Sequence, residues 1–289
     1  MLAPDPPLVS IVTPCFNAER FIRETIQSVL AQNYPRLEYI VMDGGSTDGT
    51  LEILKRYRRH FAHIESTPDD GPAPALQRGF HRATGEIMGW VNSYDMLAPE
   101  ALEFVAWYFA AHPRVDMIYS HRVMIDVADR AVGYWLLPRH SNRQMRRWPR
   151  IPQETCFWRR GLYERAGGID AKYRFAMDFD LFARFMMIGR ATRVDRFLGA
   201  SRVNPSSTST RKRTVEGGVE IDRIRAEHGL VPRPWWPLLA HRFERGMEWR
   251  GQRFADEERV LPGCLPGLGW TYDRLWGGTI SSPREGQQY

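Results

Sequence analysis

No stretch of this chain approaches the ~18 consecutive apolar residues of a membrane span, and the opening MLAPDPPLVS lacks the charged and apolar regions of a secretory signal. A protein kept in the cytoplasm is the expectation. Cysteine is scarce, with Cys15, Cys156 and Cys264 far apart. An odd number without C-x-x-C spacing suggests neither a disulfide framework nor a zinc site, so all three are expected as reduced thiols. Lysine is scarcer still for a basic protein: of 40 Lys+Arg only Lys55, Lys172 and Lys212 are lysine, so arginine carries the net charge of +6. No nucleic-acid-binding signature or regular basic and aromatic interleaving accompanies that charge, and no nucleic-acid partner is expected. Internal repeats are also absent.

What is present is enough for one large α/β core with an extension: 289 residues, 43% hydrophobic. Charge is uneven. Between residues 120 and 165 ten Arg face Asp126, Asp129, Glu154 and Glu164, and RHSNRQMRRWPR (139–150) has five Arg and no acid. Such a run is either a solvated loop or a face for phosphates or an anionic membrane. Five of the ten Trp, at 235, 236, 249, 270 and 276, lie beyond residue 205. RPWWPLLAHRFERGMEWRGQRF reads as a membrane-interface helix, as packing on its own domain, or as the interface of a homodimer.

Along the chain, short apolar runs alternate with helical periodicity. LVSIVT (8–13) is a buried strand; in FIRETIQSVLAQ the residues Ile22, Ile26, Val29 and Leu30 share one helical face; LEYIVM is a second strand running into DGGSTDGT, which leads into a helix carrying Leu51 and Leu54. HIEST, a helix near 74–83, the strand IMGWV, a helix over 99–111 and the strand VDMIY continue the pattern. This order predicts a Rossmann-like, mostly parallel sheet flanked by helices over residues 1–120. A strand at AVGYWLL, helices near 159–166 and from Asp178, and a polar hinge at NPSSTSTRKR follow. The expected division is 1–205, with halves 1–120 and 121–205, then a helical Trp/Arg-rich extension over 206–289.

Three acids stand where apolar runs stop: Asp43, Asp95 and Asp178. A carboxylate at the C-terminal edge of a strand faces the crevice where open α/β sheets bind ligands. The motifs around them, LVSIVTPCFNAERF, DGGSTDGT, ATGEIMGWVNSYD and GGIDAKYRFAMDFDLFAR, occur in an order and at a spacing that resemble family-2 glycosyltransferases, inverting enzymes with the GT-A fold. The resemblance covers residues 8 to 200 and leaves the C-terminal segment outside. It implies transfer of a sugar from a nucleotide-diphosphate sugar to a glycan or polyprenyl-linked acceptor in surface polysaccharide assembly, on the inner face of the cell membrane.

Residue by residue, the resemblance implies that Thr13, Pro14, Asn17, Asp43, Asp69, Arg78 and Asn92 serve the nucleotide donor. Asp95, the last acid of the family's metal motif, would hold Mn²⁺ or Mg²⁺ against the diphosphate. Asp178 takes the position of the catalytic base, with Asp180 the alternative that more often pairs with Arg184; Gln153 and Glu154 could meet the acceptor or be structural. Three departures stand out: Gly44 where many members have a second acid, Tyr94 where this subgroup reads Asn-Ser-Asp-Asp, and Pro72-Ala73-Pro74 in the nucleotide-pocket segment. The last two leave a non-catalytic, nucleotide-sugar-binding or partner-binding paralogue as the alternative.

Overall fold

The computed structural model describes residues 5–129, 131–135, 137, 140–142, 151–202 and 208–230. β1 (Val9–Cys15) is buried along its whole length. It lies parallel between β2 (Leu37–Asp43) and β4 (Ile87–Trp90), with β3 (His63–Ser66) parallel outside β2. Side chains alternate across these strands with period two. Ile11, Tyr39 and Val41 pack with the apolar residues of α1 (Ile22–Leu30), α2 (Thr50–Tyr57) and α4 (Ala101–Ala111), while Val12, Ile40 and Met42 pack with α3 (Pro72–Arg82) on the other face. Within α1, Ile22, Ile26 and Val29 are fully buried, as their spacing predicts, and Leu30 is half-buried.

α3 starts two residues earlier than expected. Gly71 enters at φ 132, ψ −171, and Pro72 then occupies the first helical position, where its missing N–H costs nothing and its φ is already helical. The helix also lies close on the sheet: a Cβ on Gly79 would meet Val12 Cγ1 at 2.5 Å.

The second half of the chain adds β6 (Met117–Ile125), β8 (Phe157–Arg159), β9 (Ala191–Arg202), the short β5 (Met96–Leu97) and β7 (Ala131–Trp135) beside β6. β8 is antiparallel to both β4 and β6, and so joins everything into one sheet of order β3-β2-β1-β4-β8-β6-β9-β5 among the described residues. β6 and β9 are parallel, with register shifts on either side of His121 that re-aim Arg122. The halves expected on either side of residue 120 therefore share one sheet.

Helices α5 (Arg160–Arg165), α6 (Met177–Ile188) and α7 (Thr208–Glu227) complete the described chain. The NPSSTSTRKR stretch, expected as a hinge, is helical from Thr208 onward. Its polar composition hid the anchor further along, where Ile224 and Leu230 are buried in the same apolar cluster as Phe182 and Met177. Among the described residues no helix is long and apolar enough to cross a membrane. The Arg run from 143 to 150, Arg139 and the Trp-rich segment from 231 lie outside the described residues.

Candidate active site

Parallel register brings Cys15, Asp43 and Ser66 to a common edge. There a cleft of about 1140 Å³ opens, walled by the β1–α1 turn, the loop before α3, the β4–β5 turn, Arg122 of β6, the start of α6 and one face of α7. Asp95 lies in the β4–β5 turn and is 2% exposed. Its backbone carbonyl accepts the Thr25 hydroxyl at 2.8 Å. Its carboxylate accepts the Asn92 side-chain amide at 3.1 Å and the Arg202 backbone N–H at 3.2 Å. Burial, and then the nearby Glu154 carboxylate, push the Asp95 pKa up to about 6 against the opposing charge of Arg122.

Asp178 is the second residue of α6, half-buried and facing the cleft. One of its oxygens accepts the Phe179 N–H at 2.8 Å. Asp180, two residues on, points to another side of the helix. It is 2% exposed and held by Arg184, whose Nε is 3.0 Å away, and by His228 Nε2 at 3.0 Å. The alternative base is thus enclosed in an ion-paired network outside the cleft lining. Gln153 and Glu154 form the cleft floor, but with their polar atoms engaged. The Gln153 amide bridges the Trp90 carbonyl and Asn92, both at 2.7 Å. Glu154 accepts both arms of the Arg122 guanidinium at 2.6 Å. Burial works against the charge of Arg122, yet Glu154, Asp95 and Asp178 more than offset it and raise its pKa. That shared field ties the two ends of the site together through one cation.

Of the residues expected to serve a nucleotide, Pro14, Asn17, Asp69 and Asn92 line the cleft. Thr13, Asp43 and Arg78 do not. Thr13 faces the core, its hydroxyl 3.1 Å from that of Tyr39. Asp43 is fully buried, and its carboxylate accepts the Gly45 and Ser46 N–H groups at 3.0 and 2.9 Å together with the Ser46 and Ser66 hydroxyls. It shapes the loop from inside. Asn17, at φ 46, stitches that loop to the β1–α1 turn by accepting the Thr47 N–H at 2.9 Å. Arg78 is paired with Glu65 at 3.0 Å and with Asp69 at 2.9 Å. A Cβ on Gly44 would come within 2.9 Å of an Asp69 oxygen, so the missing second acid makes room for this Asp69 position.

Among the described residues no group of three or more His, Cys, Asp and Glu is placed to hold a metal ion. Asp95 alone still fits one. Among the described residues its buried oxygens receive two hydrogen bonds, their charge is opposed by burial and by Glu154, and hard cations of the Mg²⁺ kind often take one or two carboxylates plus substrate phosphates. Several lining residues escaped the sequence reading. Phe16 offers a ring 61% exposed, and Arg122, Arg174 and Phe175 border the cleft. Arg122 is a polar position in the middle of a strand, and no motif marks it. Phe16 could have been found, since it stands between Pro14 and Asn17.

Comparison with known proteins bears on the family and the fold. A curated relative, a putative teichuronic acid biosynthesis glycosyltransferase, TuaG, of Bacillus subtilis, is 37% identical over 102 residues, which are 34% of this chain and 40% of that one. The match thus spans well under half of that relative's length. A PGL/p-HBAD biosynthesis glycosyltransferase of Mycobacterium tuberculosis is 28% identical over 182 residues, 62% of this chain and 69% of that protein. Among solved structures, S. aureus TarS 1–349 in complex with UDP-GlcNAc matches with a TM-score of 0.60 at 20% identity, covering 76% of this chain and 71% of TarS 1–349. Mannosyltransferase PcManGT from Pyrobaculum calidifontis, in complex with GDP-Man and Mn²⁺, matches with a TM-score of 0.61 at 22% identity, covering 90% and 79%. The fold is that of the GT-A glycosyltransferases. The model of glycosyl transferase family 2 matches residues 10–165, more than half of the sequence, and the chain belongs to that family.

Proposed function

We propose that this protein is an inverting, metal-dependent glycosyltransferase that moves a sugar from a nucleotide-diphosphate donor to a glycan or lipid-linked glycan. The observation that carries the reading is the joint placement of Asp95 and Asp178 in one cleft, which Arg122 also lines. Bound at Asp95, Mn²⁺ or Mg²⁺ would supply charge stabilisation for the leaving diphosphate. The remaining work falls to the chain. Phe16 presents a flat apolar face for a nucleobase, and Asn17 and Asp69 supply polar groups around it. Asn92, braced by Gln153, fixes the Asp95 carboxylate. Asp178 accepts the proton of the attacking acceptor hydroxyl, and a single in-line displacement inverts the anomeric centre.

Relatives named for teichuronic acid and PGL/p-HBAD biosynthesis support a cell-surface polysaccharide or glycolipid product. A polyprenyl-linked acceptor would bring the enzyme to the inner face of the cell membrane, with the Arg run and the Trp-rich segment as its contact. A homodimer through the same segment is the other use for it. Donor binding is tested by a thermal-shift screen of UDP- and GDP-sugars with and without Mn²⁺. A ligand at 100 times its Kd adds about 2.7 kcal/mol of apparent stability. The reading requires at least one nucleotide sugar to raise Tm more with Mn²⁺ than without, and no shift across the screen would refute it.

A further inference from the structure

α7 lies beyond residues 10–165, the span of the family match, as does the segment that carries Asp178, and it packs back against that segment. The side chain of Glu220 accepts three consecutive backbone N–H groups: Arg174 at 2.9 Å, Phe175 at 2.8 Å and Ala176 at 2.8 Å. These residues lead directly into α6, and Ala176 is its N-cap position. Alanine has no side chain with which to cap, and no side-chain cap bond is made there. Donors at a helix start that lack an intrahelical partner need one from elsewhere, and an anion there is further favoured by the helix dipole. Glu220 supplies both from a different helix.

A second observation brings α7 close at this point. Gly217, one turn before Glu220, is packed so tightly that a Cβ on it would lie 3.3 Å from Phe175 Cβ. One turn after Glu220, Ile224 is fully buried. Further along, Glu227 accepts the Tyr173 hydroxyl at 2.6 Å and Lys172 Nζ at 3.0 Å, and His228 meets Asp180. The helix therefore grips residues 172 to 180 at successive points, and Glu220 holds the stretch that sets where α6 begins.

We propose that Glu220 is a positioning residue for Asp178: by fixing the backbone at Arg174, Phe175 and Ala176 it sets the reach of the Asp178 carboxylate into the cleft. The inference rests on the proposed transferase reading. Misplacing a catalytic group by about 1 Å can cost on the order of 10²-fold in rate, and three N–H groups left without an acceptor would permit such a shift.

The test uses the full-length chain with Mn²⁺ and the nucleotide sugar that the parent turns over fastest. Glu220→Ala is expected to lower kcat by about 10- to 100-fold with the donor KM changed by no more than about 3-fold. Glu220→Gln, which keeps one accepting oxygen, should lose less and covers the case in which the alanine variant fails to fold. In an Asp178→Asn background the same substitutions should cost nothing further, because a residue acting only through Asp178 has no one left to position. Amide hydrogen exchange at residues 174–176 should accelerate in both variants. Unchanged kcat, an equal loss in both backgrounds, or unchanged exchange at 174–176 would each overturn the proposal. A parent that transfers no sugar would sink the transferase reading and the catalytic role with it, while the exchange data still report whether the clamp exists.

Discussion

At the scale of single residues, the chemistry of the site depends on which carboxylates the fold leaves turned toward the cleft. Asp95 and Asp178 face the cleft, whereas Asp43, equally well placed in the motif, is turned inward because four hydrogen-bond donors of its own loop and of β3 capture it. Asp180 was separable in advance, since two positions along a helix cannot share a face, and Arg184 takes it as the spacing predicts. Asp95 also makes a prediction about pH. Its pKa is raised from 3.8 to about 6 in the folded state, so between these values the folded protein holds a proton that the unfolded chain has released. Stability from this group is greatest below about pH 4 and is lost as pH rises through 6. The cost above pH 6 is on the order of 2–3 kcal/mol. In chelator, Asp95→Asn should therefore melt higher than the parent at pH 8, with the gap closing near pH 4. His121, whose pKa burial and then Arg193 push down to about 3, tilts stability the opposite way, but equally in both proteins. Equal melting temperatures at pH 8 would show that Asp95 carries no such penalty.

At the scale of elements, β1, β2 and β4 were legible as mainly apolar runs and the helices between them by one apolar face, while β3, His-Ile-Glu-Ser, was legible only from its place in the strand–helix alternation. The strands missed were β5, β8 and β9. The first two span two and three residues, and β9 mixes Arg193, Asp195 and Arg196 with its apolar positions. The Arg193 side chain is nonetheless only 7% exposed and paired with Asp195, so charge was absorbed where sequence alone would place it in water. The contact of α3 with β1 makes a prediction in which two effects compete. Alanine at Gly79 should gain about 1 kcal/mol of helix propensity. Its Cβ would also sit 2.5 Å from Val12 Cγ1 and 3.0 Å from Met42 Cγ, and overpacking of this kind costs about 1–3 kcal/mol. The β-branched Val12 is buried within β1 and has little room to yield, so the clash should win: Gly79→Ala lowers the urea midpoint with the m-value unchanged. A higher midpoint would mean that α3 can lift off the sheet freely.

At the scale of the whole molecule, the family was legible because the motifs around Asp43 and Asp95 follow strands, at β2 and β4. The resemblance extends over residues 8 to 200 and the family match over 10–165, so the Asp178 motif, at a helix start, rests on the resemblance alone. The docking of α7 was not, since Glu220 acts through backbone groups 44 to 46 residues away and leaves no local pattern. The membrane contact proposed for the Arg run and the Trp-rich segment predicts reversible, salt-weakened attachment, at ~1 kcal/mol per basic residue near an anionic surface. Co-sedimentation with phosphatidylserine-containing vesicles at low salt should fall sharply when Trp235 and Trp236 are changed to Ala and Arg139, Arg143, Arg146, Arg147 and Arg150 to Gln. Equal binding by the variant would point to packing or a subunit interface instead. The central claim, that Asp95 and Asp178 act in one site with different tasks, is tested most directly by measuring donor turnover and nucleotide-diphosphate binding, with and without Mn²⁺, in the parent, Asp178→Asn and Asp95→Ala. The account predicts that Asp178→Asn keeps Mn²⁺-dependent binding and loses about 10²-fold or more in turnover, while Asp95→Ala loses the Mn²⁺-dependent part of binding itself. Parent-like turnover by Asp178→Asn, or nucleotide binding by the parent that ignores Mn²⁺, would contradict it, and a parent that binds donor but never turns it over would identify a non-catalytic member of the family.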